Sequence, residues 1–234
     1  MIFSVVVPLK DEEDNVLPLV EEIETVMTRI GKPWELLLID DGSTDNTLSL
    51  LKNLKKDYLR VLVFEKNYGQ SSAFEAGFKH ARGTWVITLD GDRQNDPEDI
   101  AGLIHAADDA DLVTGIRQKR KDTMFKKLLS KVANKVRGFA LGDGISDTGC
   151  SLKIYRKKCL DSIKMFHGMH RFLPALFQIE GFTVKQIPVK HRQRLAGKTK
   201  YTLLNRSLNT VADLLAVRWM RKRRRLWKIR EELP

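Results

Sequence analysis

The stretch WVITLDGDRQ, residues 85–94, decides the fold. It opens with an almost wholly apolar run, Trp85 to Leu89, and closes on two carboxylates, Asp90 and Asp92, with Gly91 between them. A short apolar run of this kind fits a strand buried on both faces of a parallel sheet. The same layout recurs along the first 115 residues. Phe3–Val7 leads into Pro8 to Glu12, and Leu36–Ile39 leads into DDGSTD at 40–45. Val61–Phe64 leads into Asn67-Tyr68-Gly69-Gln70, and Leu112–Thr114 into Gly115-Ile116-Arg117. Helix-patterned segments lie between these runs, near 15–30, 45–56, 70–82 and 97–107. Strand and helix in alternation predict a doubly wound α/β fold with a mostly parallel sheet flanked by helices.

Ligands of an open parallel sheet bind outside the carboxyl ends of its strands. The residues that follow each apolar run are therefore the candidate site, and four of the five sets carry polar groups suited to a nucleotide and a metal. Asp90 and Asp92 are two hard oxygen ligands at a strand end, with Gly91 allowing a sharp turn. They suit Mg²⁺ or Mn²⁺, ions held by one or two carboxylates plus substrate phosphates. Asp109-Ala110-Asp111 has the same spacing but precedes a strand, so it reads as a solvated turn or cap. Asp45 reads as a cap of the following helix. Neither a Gly-x-x-x-x-Gly-Lys-Ser/Thr loop nor a Gly-x-Gly-x-x-Gly loop is present, which disfavours P-loop and dinucleotide sites.

Beyond Gly115 the pattern changes. Phe125, Leu128, Leu129, Val132, Val136 and Phe139 recur at helical spacing among lysines. A loop is expected at Gly142–Gly149, and strands at Ser151–Tyr155 and Thr183–Val189. From Tyr201 to about Arg230 the chain reads as one helix, with Leu204, Leu208, Val211, Leu215 and Trp219 on an apolar face. Charge divides the same way. Residues 1–115 carry 11 Lys and Arg against 22 Asp and Glu, while 116–189 carry 16 against 5 and 190–234 carry 14 against 3. An acidic half joined to a strongly basic one points to a polyanionic partner, either a nucleic acid or an anionic membrane surface. No run approaches the ~18 apolar residues of a membrane span. Phe3–Pro8 lacks the basic lead-in and cleavage site of a signal peptide. Cys150 and Cys159 form neither a disulfide framework nor a zinc cluster, so a cytosolic, reduced setting is expected.

Three quoted runs carry a resemblance: SVVVPLKDEEDNV, LLLIDDGSTDNT and NYGQSSAFEAGFKHARGTWVITLDGDRQNDPEDI. With Asp147-Thr148-Gly149-Cys150 and PVKHRQRLAGKTKY at 188–201, they resemble a family 2 glycosyltransferase of the GT-A fold. More narrowly the pattern is similar to the dolichol-phosphate mannosyltransferase and polyprenyl-phosphate hexosyltransferase branch, over about residues 2–203. The resemblance implies a GT-A domain at 1–200, with a nucleotide half at 1–115 and an acceptor half at 116–200, and a basic amphipathic tail at 201–234. It implies that Pro8, Glu12, Asp40 and Asp41, with Asp90, hold the nucleotide, and that Asp90, Asp92 and Gln94 form the metal and diphosphate site. Arg117, helped by Lys126 and Ser130, would meet the acceptor phosphate or the donor diphosphate, and His191, Arg192, Arg194, Lys198, Lys200 and Tyr201 would close over the site. Two positions depart from the family pattern. Lys10 stands where a base-stacking aromatic is usual, which leaves the base open, and Lys126 stands where Arg is common.

The implied reaction is an inverting transfer of a hexose from GDP-mannose or a UDP-hexose to a polyprenyl phosphate. A phosphate monoester is already anionic at neutral pH and needs no general base. A sugar hydroxyl acceptor would need one, and Asp147 is the candidate. The basic tail, with Trp219 and Trp227, fits a helix lying on the cytoplasmic face of an anionic membrane. Its alternatives are packing on the domain, on a second copy of the chain, or on a membrane partner protein. Two rival classes stay open here: a nucleotidyltransferase using the same acidic site, and a nucleic-acid-binding protein. No recognition helix or aromatic-studded sheet motif supports the latter.

Overall fold

A computed structural model describes residues 2–118, 137–138, 140–193, 203–224 and 230–231. In chain order it contains β1 (Phe3–Leu9), α1 (Val16–Ile30), β2 (Trp34–Asp40), α2 (Thr47–Asn53), β3 (Leu59–Val63), α3 (Gln70–His80) and β4 (Trp85–Thr88). Then follow α4 (Ile100–Ala106), β5 (Leu112–Arg117), β6 (Lys153–Arg156), α5 (Lys157–Leu160), α6 (Leu173–Ile179), β7 (Val184–Val189) and α7 (Leu203–Arg223).

The strands form one sheet in the order β3-β2-β1-β4-β6-β5-β7. β1 pairs parallel with both β2 and β4, and β2 with β3. The chain thus winds from β1 toward β3, then returns to place β4 on the other side of β1. That reversal opens a crevice at the carboxyl ends of β1 and β4, the standard ligand position in such sheets. β6 enters between β4 and β5 and runs antiparallel to both. β5 and β6 are sequential, adjacent and antiparallel, a pairing that needs no crossover connection. The mostly parallel α/β sheet expected from the apolar runs is therefore present, with one antiparallel strand in its interior.

Helices cover both faces. α1 turns Val16, Leu19, Val20, Ile23, Val26 and Met27 inward at helical spacing, against Val5, Val7, Leu36 and Leu38 of the sheet. Each such side chain stabilises the fold by roughly 1.5–3 kcal/mol on burial. α3 covers the opposite face through Ala73, Phe74 and Phe78, beside Leu173 and Phe177 of α6. α6 escapes the sequence pattern because six of its seven residues are buried, so no 3.6-residue alternation marks it. Cys150 and Cys159 are free, buried core residues.

α7 corrects one expectation. It packs on the domain through Val217, with Leu214 and Met220 beside it, against Met169, Phe172, Leu176 and Ile179. Thr210 accepts a hydrogen bond from Arg171 at 2.8 Å. The face expected to be apolar is a different stripe: Val211, Leu215 and Trp219 are 55%, 61% and 64% exposed. The helix ends at Arg223, where the expectation ran to about Arg230. The amphipathic helix expected around 125–139 lies outside the described residues, apart from two helical positions at 137–138.

Candidate active site

The crevice between the ends of β1 and β4 gathers most of the described candidates. Asp90 follows β4 by one residue and is half-buried. Gln70 Nε2, at the first position of α3, donates to Asp90 Oδ1 at 2.7 Å, and the Asp90 N–H donates to Asn95 Oδ1 at 3.2 Å. Burial, then the neighbouring Asp92 charge, push the Asp90 carboxyl up, while Ser151, Lys153 and Arg117 pull it back. Asp92 is 8% exposed and accepts the Gln94 N–H at 3.1 Å. Gly91 is required by space: a Cβ there would lie 2.7 Å from Leu9 Cδ2 and 3.1 Å from the Pro8 carbonyl. The positive φ of the turn falls instead on Arg93, at 57°, whose Nη2 donates to Glu22 Oε1 at 2.5 Å.

Among the described residues no group of three His, Cys, Asp or Glu side chains is assembled to hold an ion. The donor set is the carboxylate pair. That fits Mg²⁺ or Mn²⁺, which complete their shells with water and substrate phosphates. Two carboxylates repelling each other in a desolvated corner are also what a divalent cation relieves.

On the β2 side a cavity of about 430 Å³ is lined by Lys10, Asp40, Ser43, Leu48, Phe64 and Asn67, among others. Asp40 is 0% exposed; its Oδ1 accepts the Ser43 N–H at 3.3 Å, and its Oδ2 is buried with no hydrogen-bond partner. Asp41 faces elsewhere, accepting the N–H groups of Tyr68 at 2.7 Å and Gly69 at 2.9 Å. It fastens the loop after β3, and burial raises its pKa. Glu12 accepts from Asn15 Nδ2 at 2.7 Å, and its N–H donates to Thr47 Oγ1 at 2.8 Å. Pro8, half-buried, lies at the end of β1 beside Ile39. Lys10 Nζ donates to the Gly42 carbonyl at 2.8 Å. Asp45 lies one residue before Asn46, the N-cap of α2, and accepts the Thr47 N–H at 2.9 Å and the Glu13 N–H at 3.1 Å.

On the β5 side Arg117 forms a two-point ion pair with Asp147: Nε to Oδ2 at 2.7 Å and Nη2 to Oδ1 at 2.8 Å. The Arg117 N–H adds a bond to Oδ2 at 3.2 Å, and the Gly149 N–H one to Oδ1 at 3.1 Å. Desolvation opposes the guanidinium charge, and Asp147 more than restores it. At the end of β7, His191 bridges Asn95, and the Arg192 N–H donates to the Gln94 carbonyl at 2.9 Å. The Arg192 guanidinium donates to Glu22 at 2.6 Å and Asp96 at 2.7 Å. This segment therefore buttresses the turn that carries Asp92. Lys126, Ser130, Arg194, Lys198, Lys200 and Tyr201 lie outside the described residues. Asp111, at the opposite edge, binds Arg156 and Thr183.

The sequence reading missed an inner pocket of about 90 Å³ that adjoins the acidic corner. Gln70, Phe74, Asp90, Lys153, Tyr155 and His170 are among its walls. Ser71 Oγ and His170 Nδ1 are 2.6 Å apart and tie α3 to the turn before α6. No local signal marks it, since Lys153 opens a strand, KIYR, that also ends on a charge.

The sheet order and the carboxylate pair at its reversal define the GT-A glycosyltransferase class, and solved structures share the fold. A glucosyl-3-phosphoglycerate synthase from Mycobacterium tuberculosis, in complex with Mn²⁺ and uridine-diphosphate-glucose, aligns at TM-score 0.72 with 18% identity, over 92% of this chain and 78% of that one. S. aureus TarS in complex with UDP-GlcNAc aligns at TM-score 0.61 with 18% identity, over 93% and 66%. The family model "Glycosyl transferase family 2" matches residues 4–164, and the chain belongs to that family. Curated relatives include the undecaprenyl-phosphate 4-deoxy-4-formamido-L-arabinose transferases of Salmonella paratyphi B and Salmonella typhimurium, each 37% identical over 216 residues. The alignment covers 91% of this chain, which spans 66% of the length of those relatives.

Proposed function

We propose that the chain transfers a sugar, with inversion, from a uridine-diphosphate sugar to the phosphate of a polyprenyl phosphate. Residues 1–115 serve the nucleotide and 116–200 the acceptor. Relatives named for undecaprenyl-phosphate sugar transfer support this reading, as do UDP complexes of the same fold. The observation that carries it is the Arg117–Asp147 pair. A hydroxyl acceptor needs a base, yet both Asp147 oxygens are bound by Arg117. A phosphate monoester, with a second pKa of about 6, arrives already ionised.

In this reading the cavity beside Asp40 takes the nucleoside, and Asp90 and Asp92 would hold Mg²⁺ or Mn²⁺, with Gln94 beside them. Such an ion supplies Lewis-acid charge to the departing diphosphate. An acceptor phosphate oxygen forms the bond to the anomeric carbon as the bond to the diphosphate oxygen breaks. No proton changes hands. Arg117, held flat by Asp147, places positive charge beside the reacting oxygens. Lys126, Ser130, His191, Arg194, Lys200 and Tyr201 are proposed to help hold the acceptor phosphate, and Arg192 to brace the closing segment.

The membrane is the natural surface for such an acceptor. Among the described residues no helix is long and apolar enough to cross one. α7 instead exposes Val211, Leu215 and Trp219 on a helix whose last turn holds Arg221, Lys222 and Arg223. That combination fits a helix lying in an anionic interface, each cation adding about 1 kcal/mol.

The test is product analysis with UDP-sugar, Mn²⁺ and undecaprenyl phosphate. The reading expects a lipid product that releases free sugar in mild acid, as a phosphodiester-linked sugar does. An acid-stable glycoside on a hydroxyl would overturn it.

A further inference from the structure

Arg93, between Asp92 and Gln94, holds a backbone φ of 57°. Among the described residues outside glycine, Asp11 is the other position with a positive φ. Aspartate tolerates the left-handed region through its short polar side chain, whereas arginine has no such help and its Cβ is crowded there. The surroundings of the turn must therefore hold Arg93 in place. The conformation matters because the Asp92 carboxylate accepts the Gln94 N–H at 3.1 Å, a bond that spans Arg93. Were Arg93 to relax to the right-handed region, that bond would break and the Asp92 carboxylate would lose its place beside Asp90.

Glu22, on α1, supplies the hold. Its Oε1 accepts from Arg93 Nη2 at 2.5 Å, and its Oε2 accepts from Arg192 Nη1 at 2.6 Å. Arg192 in turn donates through Nη2 to Asp96 Oδ1 at 2.7 Å and through its N–H to the Gln94 carbonyl at 2.9 Å. One carboxylate thus fixes both flanks of the turn from Asp92 to Gln94. The Glu22 and Arg93 side chains are 25% and 18% exposed, so solvent screens this pair less than it screens a surface one. We propose that Glu22 is a positioning residue for the metal turn. It anchors the Arg93 side chain, keeps that backbone left-handed, and so keeps Asp92 beside Asp90 for the ion. It acts through Arg93 and not on the ion itself. This rests on the reading of Asp90 and Asp92 as a divalent-cation site.

The test compares Glu22→Gln, Arg93→Ala, Arg93→Gly and the double variant Glu22→Gln with Arg93→Gly, all on the full chain. Glycine takes a positive φ without strain and alanine does not. Electron paramagnetic resonance reads Mn²⁺ affinity in the presence of UDP, calorimetry reads UDP affinity without metal, and thermal melting reads folding. Glu22→Gln and Arg93→Ala should each weaken Mn²⁺ binding by about 5–30-fold, the scale of left-handed strain in a residue with a Cβ, because a smaller share of the turn is competent. Arg93→Gly should stay within about twofold of the wild type. The double variant should recover the affinity that Glu22→Gln loses, since its turn no longer needs an anchor. Metal-free UDP affinity should hold in every variant. Wild-type Mn²⁺ binding in Glu22→Gln overturns the proposal, and so does equal loss in Arg93→Ala and Arg93→Gly. Mn²⁺ binding that stays weak in the double variant overturns it as well. A lower melting temperature together with weakened metal-free UDP binding would make Glu22 a general packing residue and overturn its positioning role. If Glu22→Gln does not fold, the contrast between alanine and glycine at position 93 decides. A wild-type chain that binds UDP but gains no Mn²⁺ affinity from it refutes the cation reading and this proposal with it, a failure visible before any variant is made.

Discussion

Arg117 and Asp147 hold each other through two near-parallel hydrogen bonds of 2.7 and 2.8 Å, so the carboxylate is spent on orienting the cation. The relationship separates two chemistries. If Asp147 positions Arg117, Asp147→Asn should lower kcat by roughly 10–100-fold and leave the acid limb of the pH–rate profile in place. If Asp147 were the base, that limb would disappear with it. Arg117→Ala should cost more, about 10²–10³-fold.

The two sides of α7 should separate in experiment. Val217 is fully buried against α6, so Val217→Ala should cost about 1–3 kcal/mol in urea unfolding. Trp219, 64% exposed, should leave the unfolding midpoint unchanged when replaced by Ser and weaken flotation with anionic vesicles. Unchanged flotation in Trp219→Ser would remove the helix as the docking face.

Gly42 closes the turn after β2 at φ 66°, and a Cβ there would lie 2.5 Å from the Lys66 carbonyl carbon. Backbone cannot yield as a side chain can, so Gly42→Ala should lose about 1–3 kcal/mol of stability. It should also weaken UDP binding, because Gly42 lines the cavity beside Asp40. A variant as stable as the wild type would show that this turn tolerates rearrangement.

Glu35 predicts an acid-sensitive step. Burial pushes its carboxyl up, but Ser4 Oγ at 2.6 Å, Arg60 Nη1 at 2.7 Å and the Arg82 N–H at 2.7 Å hold it below the usual 4.5. The folded pKa is depressed, so its contribution is present above about pH 4.5 and fades as pH falls through the lower folded value. Urea midpoints measured from pH 6 downward should decline in the wild type below about 4.5, and the decline should be shallower in Glu35→Gln.

The parallel half of the sheet was legible because its strands are buried on both faces, so Val5 to Val7 or Leu36 to Ile39 announce themselves as unbroken apolar runs. The candidate site at the carboxyl edge follows from that layout, which places Asp40 at the end of β2 and Asp90 and Asp92 just beyond β4. Gly91 suggests freedom to turn, whereas its constraint is the approach of Leu9 and Pro8, a contact between residues far apart in sequence that no local pattern carries. The reversed direction of β6 was hidden for the same reason: strand sense depends on the connection. The exposed stripe of α7 was visible as Val211, Leu215 and Trp219, but the buried stripe through Val217 was not, since Leu214, Val217 and Met220 are interleaved with it at nearly the same period. Lys153 looked like an ordinary strand residue until its neighbours on β4 and β5 were known.

Asp90 and Asp92, together with a nucleoside diphosphate, are proposed to bind one divalent cation. Electron paramagnetic resonance of Mn²⁺ titrated with UDP measures this directly. The wild type should bind Mn²⁺ weakly alone and at least about 10-fold more tightly with UDP, since the phosphates complete its shell, and Asp92→Asn should lose both that gain and turnover. Mn²⁺ bound equally well by Asp92→Asn, with transfer activity near wild type, would contradict the account.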